Sequence, residues 1–298
     1  ARATFDPATG AFTLAATGRS AAYGPVALTA GGTLDQPRAT LTLASPDLGV
    51  GLRDLVATIE PTTTGFAVAA RGGTPQGPFE ARVLLTVADG RPLGIDIATA
   101  TLAGLAARGR LVQLAAGPFS GRIDLDGRGL DATLDFGAEG RAQRVDVAAR
   151  ARNARLPLDP PVIIGSGGAR LRIVLVPGRP VITGDVALKG VRYGQLVLTD
   201  ATGTMDIAGD GGSARMVASG RVGDSAPFTL RAVARSTAEG YALMLDGNLD
   251  RLALKLERPA RLIRREGGFE LLPARLLLPS GRIDIAGTWG KTREVRLA

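Results

Sequence analysis

The 298-residue chain contains neither cysteine nor histidine. It therefore makes no disulfide and holds no thiolate nucleophile, no Ser-His-Asp triad and no zinc site of the Cys/His kind. A cysteine-free chain is compatible with an oxidising compartment such as a bacterial periplasm. Aromatic residues are only 4% of the total, with a single Trp and three Tyr. That is too few for the aromatic anchors that usually fill a β-sandwich core about 10 Å thick. Asparagine occurs only as Asn153 and Asn248, so the Asn ladders of many secreted β-solenoids are missing. No apolar run reaches the ~18 residues of a membrane helix.

The residues that are present are mostly small and aliphatic. Hydrophobic residues make up 45% of the chain, alongside 41 glycines and 18 prolines. The phrase Ser120-Gly121-Arg122-Ile123-Asp124-Leu125-Asp126-Gly127 returns as Ser280-Gly281-Arg282-Ile283-Asp284-Ile285-Ala286-Gly287. Looser copies begin at Thr183 and Thr202. Glycine holds the second and eighth places in these copies, aliphatics the fourth and sixth. Such period-two alternation bounded by glycine marks a strand with one apolar and one polar face. Similar alternation surrounds Leu41 and Leu43, Val83 and Leu85, Leu171 and Ile173, and Leu196 and Leu198. Turn signals such as Asp35-Gln36-Pro37, Pro177-Gly178-Arg179-Pro180, Gly209-Asp210-Gly211-Gly212 and Asp246-Gly247-Asn248 separate the runs.

This spacing predicts an all-β chain: an elongated antiparallel sheet of repeated short strands, more than half of the residues in strands, and at most one or two short helices. One helix is expected within Ala98–Ala116, where Leu102, Leu105, Ala106 and Leu114 recur at near-helical intervals, although Gly104 and Gly109 weaken it. No linker or composition shift divides the chain, so residues 1–298 are expected to form a single elongated segment. Without an initiator Met, and with Val295-Arg296-Leu297 breaking off in mid-alternation, the chain is expected to be part of a longer protein.

The chemical motifs are weak. Gly290-Lys291-Thr292 lacks the glycine that a phosphate loop needs five residues earlier, where Ile285 stands. Asp246, Asn248, Asp250 and Glu257 match four places of a calcium loop, but Arg251 replaces its central glycine and the flanks alternate as strands. Gly165-Ser166-Gly167-Gly168 precedes a strand rather than the helix an anion site would use. No catalytic, cofactor-binding or metal-binding set emerges, and the reading is of a non-enzyme.

The net charge of +8 comes almost entirely from arginine. Arg141, Arg144, Arg150, Arg152 and Arg155 form one cluster, and Arg258, Arg261, Arg264 and Arg265 another. Nucleic-acid binding of single strands interleaves stacking aromatics, whereas the neighbours here are Ala, Val and Leu. A solvated face or lipid headgroup contact fits better, and no nucleic acid is expected.

Leu41, Leu43, Val83, Leu85, Ile123, Leu125, Leu171, Ile173, Leu196, Leu198, Ile283 and Ile285 are expected on one shared apolar face. Asp124, Asp126, Arg170, Arg172 and Asp284 are expected opposite them. An apolar face of that extent marks a binding surface or an aggregation hazard. Acyl chains are a natural filler, since each buried CH₂ contributes roughly 0.8 kcal/mol.

Units such as Pro273-Ala274-Arg275-Leu276-Leu277-Leu278-Pro279 leading into Ser280-Gly281-Arg282-Ile283, and Ser219-Gly220-Arg221-Val222 leading to Pro227-Phe228-Thr229-Leu230, resemble the TamB family and its AsmA-like relatives. So does Leu111-Val112-Gln113 running through Gly117-Pro118-Phe119 into Ser120-Gly121-Arg122. The likeness covers the whole chain as a style of repeat. It implies a curved, taco-shaped sheet with an apolar groove, in the periplasmic portion of a Gram-negative envelope protein anchored in the inner membrane. It also implies phospholipid transfer between the inner and outer membranes, outer-membrane protein assembly, and a TamA-like β-barrel partner. The competing readings are a secreted β-solenoid structural or adhesin-like protein, which would stack parallel rungs, and a β-helical carbohydrate enzyme, which would need clustered carboxylates and aromatic platforms.

Overall fold

The fold is that of a computed structural model, which describes residues 1–20, 23–45, 52–75, 77–88, 91–156, 160–176, 180–208, 211–223, 226–265, 268–279, 281–290 and 293–297. Strands hold 84% of the residues, and no helix occurs among those described. The chain packs as two compact units, Ala1–Arg141 and Ala142–Ala298.

Unit 1 is an antiparallel meander in which each strand pairs with its neighbours in sequence. It begins with β1 (Arg2–Asp6), β2 (Ala11–Ser20), β3 (Gly24–Thr33) and β4 (Pro37–Leu43). It continues through β5 (Arg53–Thr62), β6 (Gly65–Thr74), β7 (Gly77–Ala88) and β8 (Arg91–Leu102). It ends with β9 (Leu105–Gln113), β10 (Phe119–Gly127) and β11 (Leu130–Glu139).

Unit 2 follows the same plan. Its first strands are β12 (Ala142–Leu156), β13 (Val162–Leu175), β14 (Val181–Tyr193) and β15 (Leu196–Ala208). Next come β16 (Gly211–Val222), β17 (Ala226–Thr237) and β18 (Gly240–Leu249). The far side of β18 is shared by β19 (Leu252–Leu256) and β20 (Ala260–Arg265). Both of these also pair with β21 (Gly268–Leu278), and β22 (Gly281–Gly290) and β23 (Arg293–Leu297) complete the unit. All ladders in both units are antiparallel, so the stacked parallel rungs of a solenoid do not occur among the described residues.

The described residues of the four copies fall in β10, β14, β15 and β22, each in a strand as its alternation requires; Gly209 and Ser280 lie outside the described residues. The helix expected within Ala98–Ala116 is instead the β8–β9 hairpin. Two irregularities produced the helix-like spacing. A bulge between Ile97 and Ala100 breaks the period of two. Leu102 and Leu105 then pair across a two-residue turn, Ala103-Gly104, with both φ angles positive at 53° and 82°. That is the primed turn whose twist suits a hairpin. The turn is braced by the Arg128 guanidinium, whose Nε donates to the Ala103 carbonyl.

A second turn is also displaced. Asp246-Gly247-Asn248 lies inside β18, opposite Lys255, Leu254 and Ala253 of β19. The turn itself is Asp250-Arg251, with φ of 48° and 73°. Gly247 is glycine because a Cβ there would overlap the Thr229 carbonyl oxygen of β17. The Pro177-Gly178-Arg179 and Gly209-Asp210 signals lie outside the described residues, while Gly211 and Gly212 belong to β16.

Candidate functional site: the apolar faces

Residues directly opposite one another in an antiparallel ladder point to the same side of the sheet, so the register defines each face. In unit 1, Leu43 faces Leu55, and Leu41 faces Ala57. Ala57 faces Ala70, two residues from Val68, which faces Val83. Val83 faces Ile97, and Leu85 faces Ile95. Ile97 faces Gly109, which faces Ile123, and Ile123 faces Leu134. Leu41, Leu43, Val83, Leu85, Ile123 and Leu125 thus share one face. Asp124 and Asp126 take the other, in register with Thr133 and Asp131.

In unit 2, Leu171 and Ile173 lie opposite Val147 and Val145, and opposite Gly184 and Ile182. Gly184 and Ile182 face Met205 and Ile207 of β15. Met205 faces Ala214, in phase with Ala218 and Gly220 along β16; Gly220 faces Leu198, and Val222 faces Leu196. From Ala218 the row runs through Leu230, Gly247 and Leu254. Two residues beyond Leu254, Leu256 faces Leu276, which faces Ile283, and Ala274 faces Ile285. The unit therefore holds Leu171, Ile173, Leu196, Leu198, Ile283 and Ile285 on one face. Arg170, Arg172 and Asp284 lie on the opposite face, beside Asp185, Thr183 and Arg275.

The register also shows something that simple alternation missed. The inward set changes phase part-way along four consecutive strands, from Ala151 to Ala154, Gly167 to Ile164, Leu188 to Val191 and Ala201 to Leu198. The unpaired residues at the crossing are Asn153, Gly165, Gly190 and Thr199. Asn153 and Gly190 hold φ of 49° and 63° there, a region that glycine and asparagine enter most readily. Without this line of irregularity, Leu196 and Leu198 would fall on the polar face.

All eight phenylalanines of the chain lie on these two faces. Phe5 opposes Phe12, and the Phe269 ring lies 6.1 Å from that of Tyr241. Yet neither face has a covering layer of its own. Among the described aliphatic and aromatic side chains of unit 1, only Ala103, Leu111 and Pro118 are buried. Phe5 is 58% exposed, and the named leucines, valines and isoleucines are half-buried. Unit 2 has two small buried clusters, Ala201 with Ala218 and Phe228, and Leu256 with Ala260 and Ala274.

The polar faces are held by cross-strand ion pairs. Arg122 is bidentate to Asp135 at 2.7 and 3.2 Å, and its hydrogen bond to that carboxylate raises its pKa further. Asp146 lies 2.9 Å from both Arg144 and Arg172. Arg275 donates to Asp284 at 2.8 Å and lies 3.6 Å from Glu257. These pairs are exposed or half-buried, and the exposed ones contribute little stability individually; their regular placement specifies which face meets water.

A cavity of about 600 Å³ opens beside Arg231, Asp246, Asn248, Lys255 and Leu277 in unit 2. Its lining contains a single carboxylate, Asp246, and no paired acid or nucleophile-base arrangement. The calcium-loop match fails in space, because Asp246 and Asn248 lie in β18 while Asp250 is in the turn. No His/Cys/Asp/Glu group suited to a metal ion occurs among the described residues. No described helix is long and apolar enough to cross a membrane.

Comparison of the chain with protein-family models, curated proteins and solved structures finds no match.

Proposed function

We propose that this chain is a non-catalytic segment of a lipid conduit whose uncovered apolar faces hold phospholipid acyl chains. One observation carries the reading: each unit presents a sheet face of mainly aliphatic and phenylalanine side chains that, outside the two small buried clusters of unit 2, stay largely half-buried or exposed. A face of this extent needs an occupant, and acyl chains match its small, non-directional contacts. The likeness of its repeats to the TamB and AsmA-like family supports a setting in the Gram-negative periplasm. There the parent protein, anchored in the inner membrane, transfers phospholipid between the two membranes and serves outer-membrane protein assembly with a TamA-like barrel.

The test is photocrosslinking in membranes that contain labelled phospholipid, with probes at Ile173 and Val83 on the apolar faces and at Arg172 and Arg82 opposite. Lipid adducts are expected at Ile173 and Val83 and not at their neighbours. Equal adducts on both faces, or none, would reject the conduit. Ile173→Arg gives a second readout, since a desolvated cation among acyl chains is costly. Transfer is expected to fail while folding persists.

A further inference from the structure

The acidic residues of unit 1 slightly outnumber its basic ones, so the whole net charge of +8 arises in unit 2. On the polar face of that unit, one row runs Arg155, Ile163, Arg192, Val197, Arg221, Pro227 across β12 to β17. It alternates guanidinium with an aliphatic or proline side chain and contains no carboxylate. Arg155, Arg192 and Arg221 are exposed and form no ion pair with a described residue. Arg152 of the adjacent row adds a fourth exposed arginine. The last row at the same strand ends, on the opposite face, is wholly apolar or aromatic: Leu156, Val162, Tyr193, Leu196, Val222, Ala226. Tyr193 is 40% exposed and Val222 45% exposed.

This rim differs from the other end of β12 and β13, where Asp146 pairs with both Arg144 and Arg172 at 2.9 Å. Residues 157–159 and 224–225 lie outside the described residues; in sequence they contribute Asp159 and Asp224, against the four arginines of the rim. Guanidinium groups match phosphate geometry. Tyrosine favours the boundary between hydrocarbon and headgroups, and long cationic side chains reach from an apolar contact to the charged layer.

We propose that the β12–β17 rim of unit 2 docks on the surface of an anionic phospholipid bilayer. The terminal apolar row enters the headgroup region, and Arg155, Arg192 and Arg221 engage lipid phosphates. Docking uses only the terminal row of the apolar face, of which Leu196 is a member, and so does not require acyl chains on the rows further along the strands.

The experiment is flotation of the full chain with vesicles of phosphatidylcholine alone or mixed with phosphatidylglycerol. Binding is expected only to the anionic vesicles and falls as salt rises. Each arginine near an anionic surface contributes roughly fivefold in affinity, so Arg155→Gln with Arg192→Gln and Arg221→Gln loses about a hundredfold. The control Arg38→Gln with Arg71→Gln and Arg110→Gln removes the same charge from unit 1 and is expected to leave binding within about twofold of the wild type, since none of those groups belongs to the rim. Equal losses in the two triples would reduce the effect to bulk charge and overturn the proposal. So would the absence of any preference for phosphatidylglycerol, or equal binding to duplex DNA with the same mutational loss. Tyr193→Trp supplies a readout that does not depend on the triple folding: its emission shifts to the blue on anionic vesicles, and an unmoved spectrum overturns the docking.

Discussion

Asp284 shows how a single residue of the repeated phrase is tied to its neighbours. The hydrogen bond from Arg275 on β21 holds its carboxyl below the usual aspartate range, outweighing the opposing effect of desolvation. A carboxyl whose folded pKa is depressed adds stability above its unfolded pKa of ~3.9, and that stability is lost as pH falls through the lower folded value. In Arg275→Gln, the Asp284 carboxyl is therefore expected to titrate at higher pH than in the parent chain. Carbon-detected NMR of the side-chain carboxyl measures this directly, and an unchanged midpoint would remove Arg275 as the cause. The equivalent aspartate in the first copy, Asp124, instead accepts from Thr133 Oγ1 at 3.1 Å, while Arg122 takes Asp135. The same phrase thus draws its partners from whichever strand lies beside it.

At the scale of the element, the β18–β19 hairpin is strained at Arg251, whose φ of 73° suits glycine. Holding a non-glycine residue there costs about 1–2 kcal/mol, and glycine returns part of the gain to the unfolded chain. Arg251→Gly is expected to raise stability by about 0.5–1 kcal/mol, measured by thermal denaturation; a lowered midpoint contradicts the turn assignment. The same hairpin marks where the sequence stops being legible. Asp246-Gly247-Asn248 has turn composition, yet its glycine serves a close approach of strands, which is a property of the neighbouring β17 and not of the local sequence. The strands around Leu41, Val83, Ile123 and Leu171 were legible because a period of two is a local signal. The bulge after Ile97 and the crossing at Asn153, Gly165, Gly190 and Thr199 were not, because each is fixed jointly with the facing strand. That Leu196 and Leu198 share a face with Leu171 depends on this crossing.

For the molecule as a whole, sequence pattern specifies which side chains are apolar but not whether another layer covers them. Few aromatics hinted at an uncovered face, and the half-buried state of Leu41, Val83, Ile123 and Leu171 in the fold makes it concrete. A ligand that binds only the folded state raises stability by mass action. Monomeric lysophosphatidylcholine at a hundredfold excess over its Kd is expected to raise Tm by roughly 5–10 °C. Scanning calorimetry provides the check, and an unmoved Tm would mean that the apolar faces do not take acyl chains. The two units differ in charge though not in plan, so loss of binding to anionic surfaces is expected from changes in unit 2 and not from matching changes in unit 1.

The sequence-neighbour pairing of strands has a consequence for how such a chain folds and grows. Apart from the shared side of β18, each strand within a unit finds its partners one step away along the chain. Loop closures are then short, and a sheet of this kind can nucleate at any hairpin and zip outward strand by strand. Length also becomes an evolvable quantity. Duplicating or deleting two successive strands preserves both the direction of the chain and the side on which its aliphatics stand, whereas removing one strand reverses the direction of all that follow. Gene duplication in hairpin-sized steps is the mode of change this architecture tolerates.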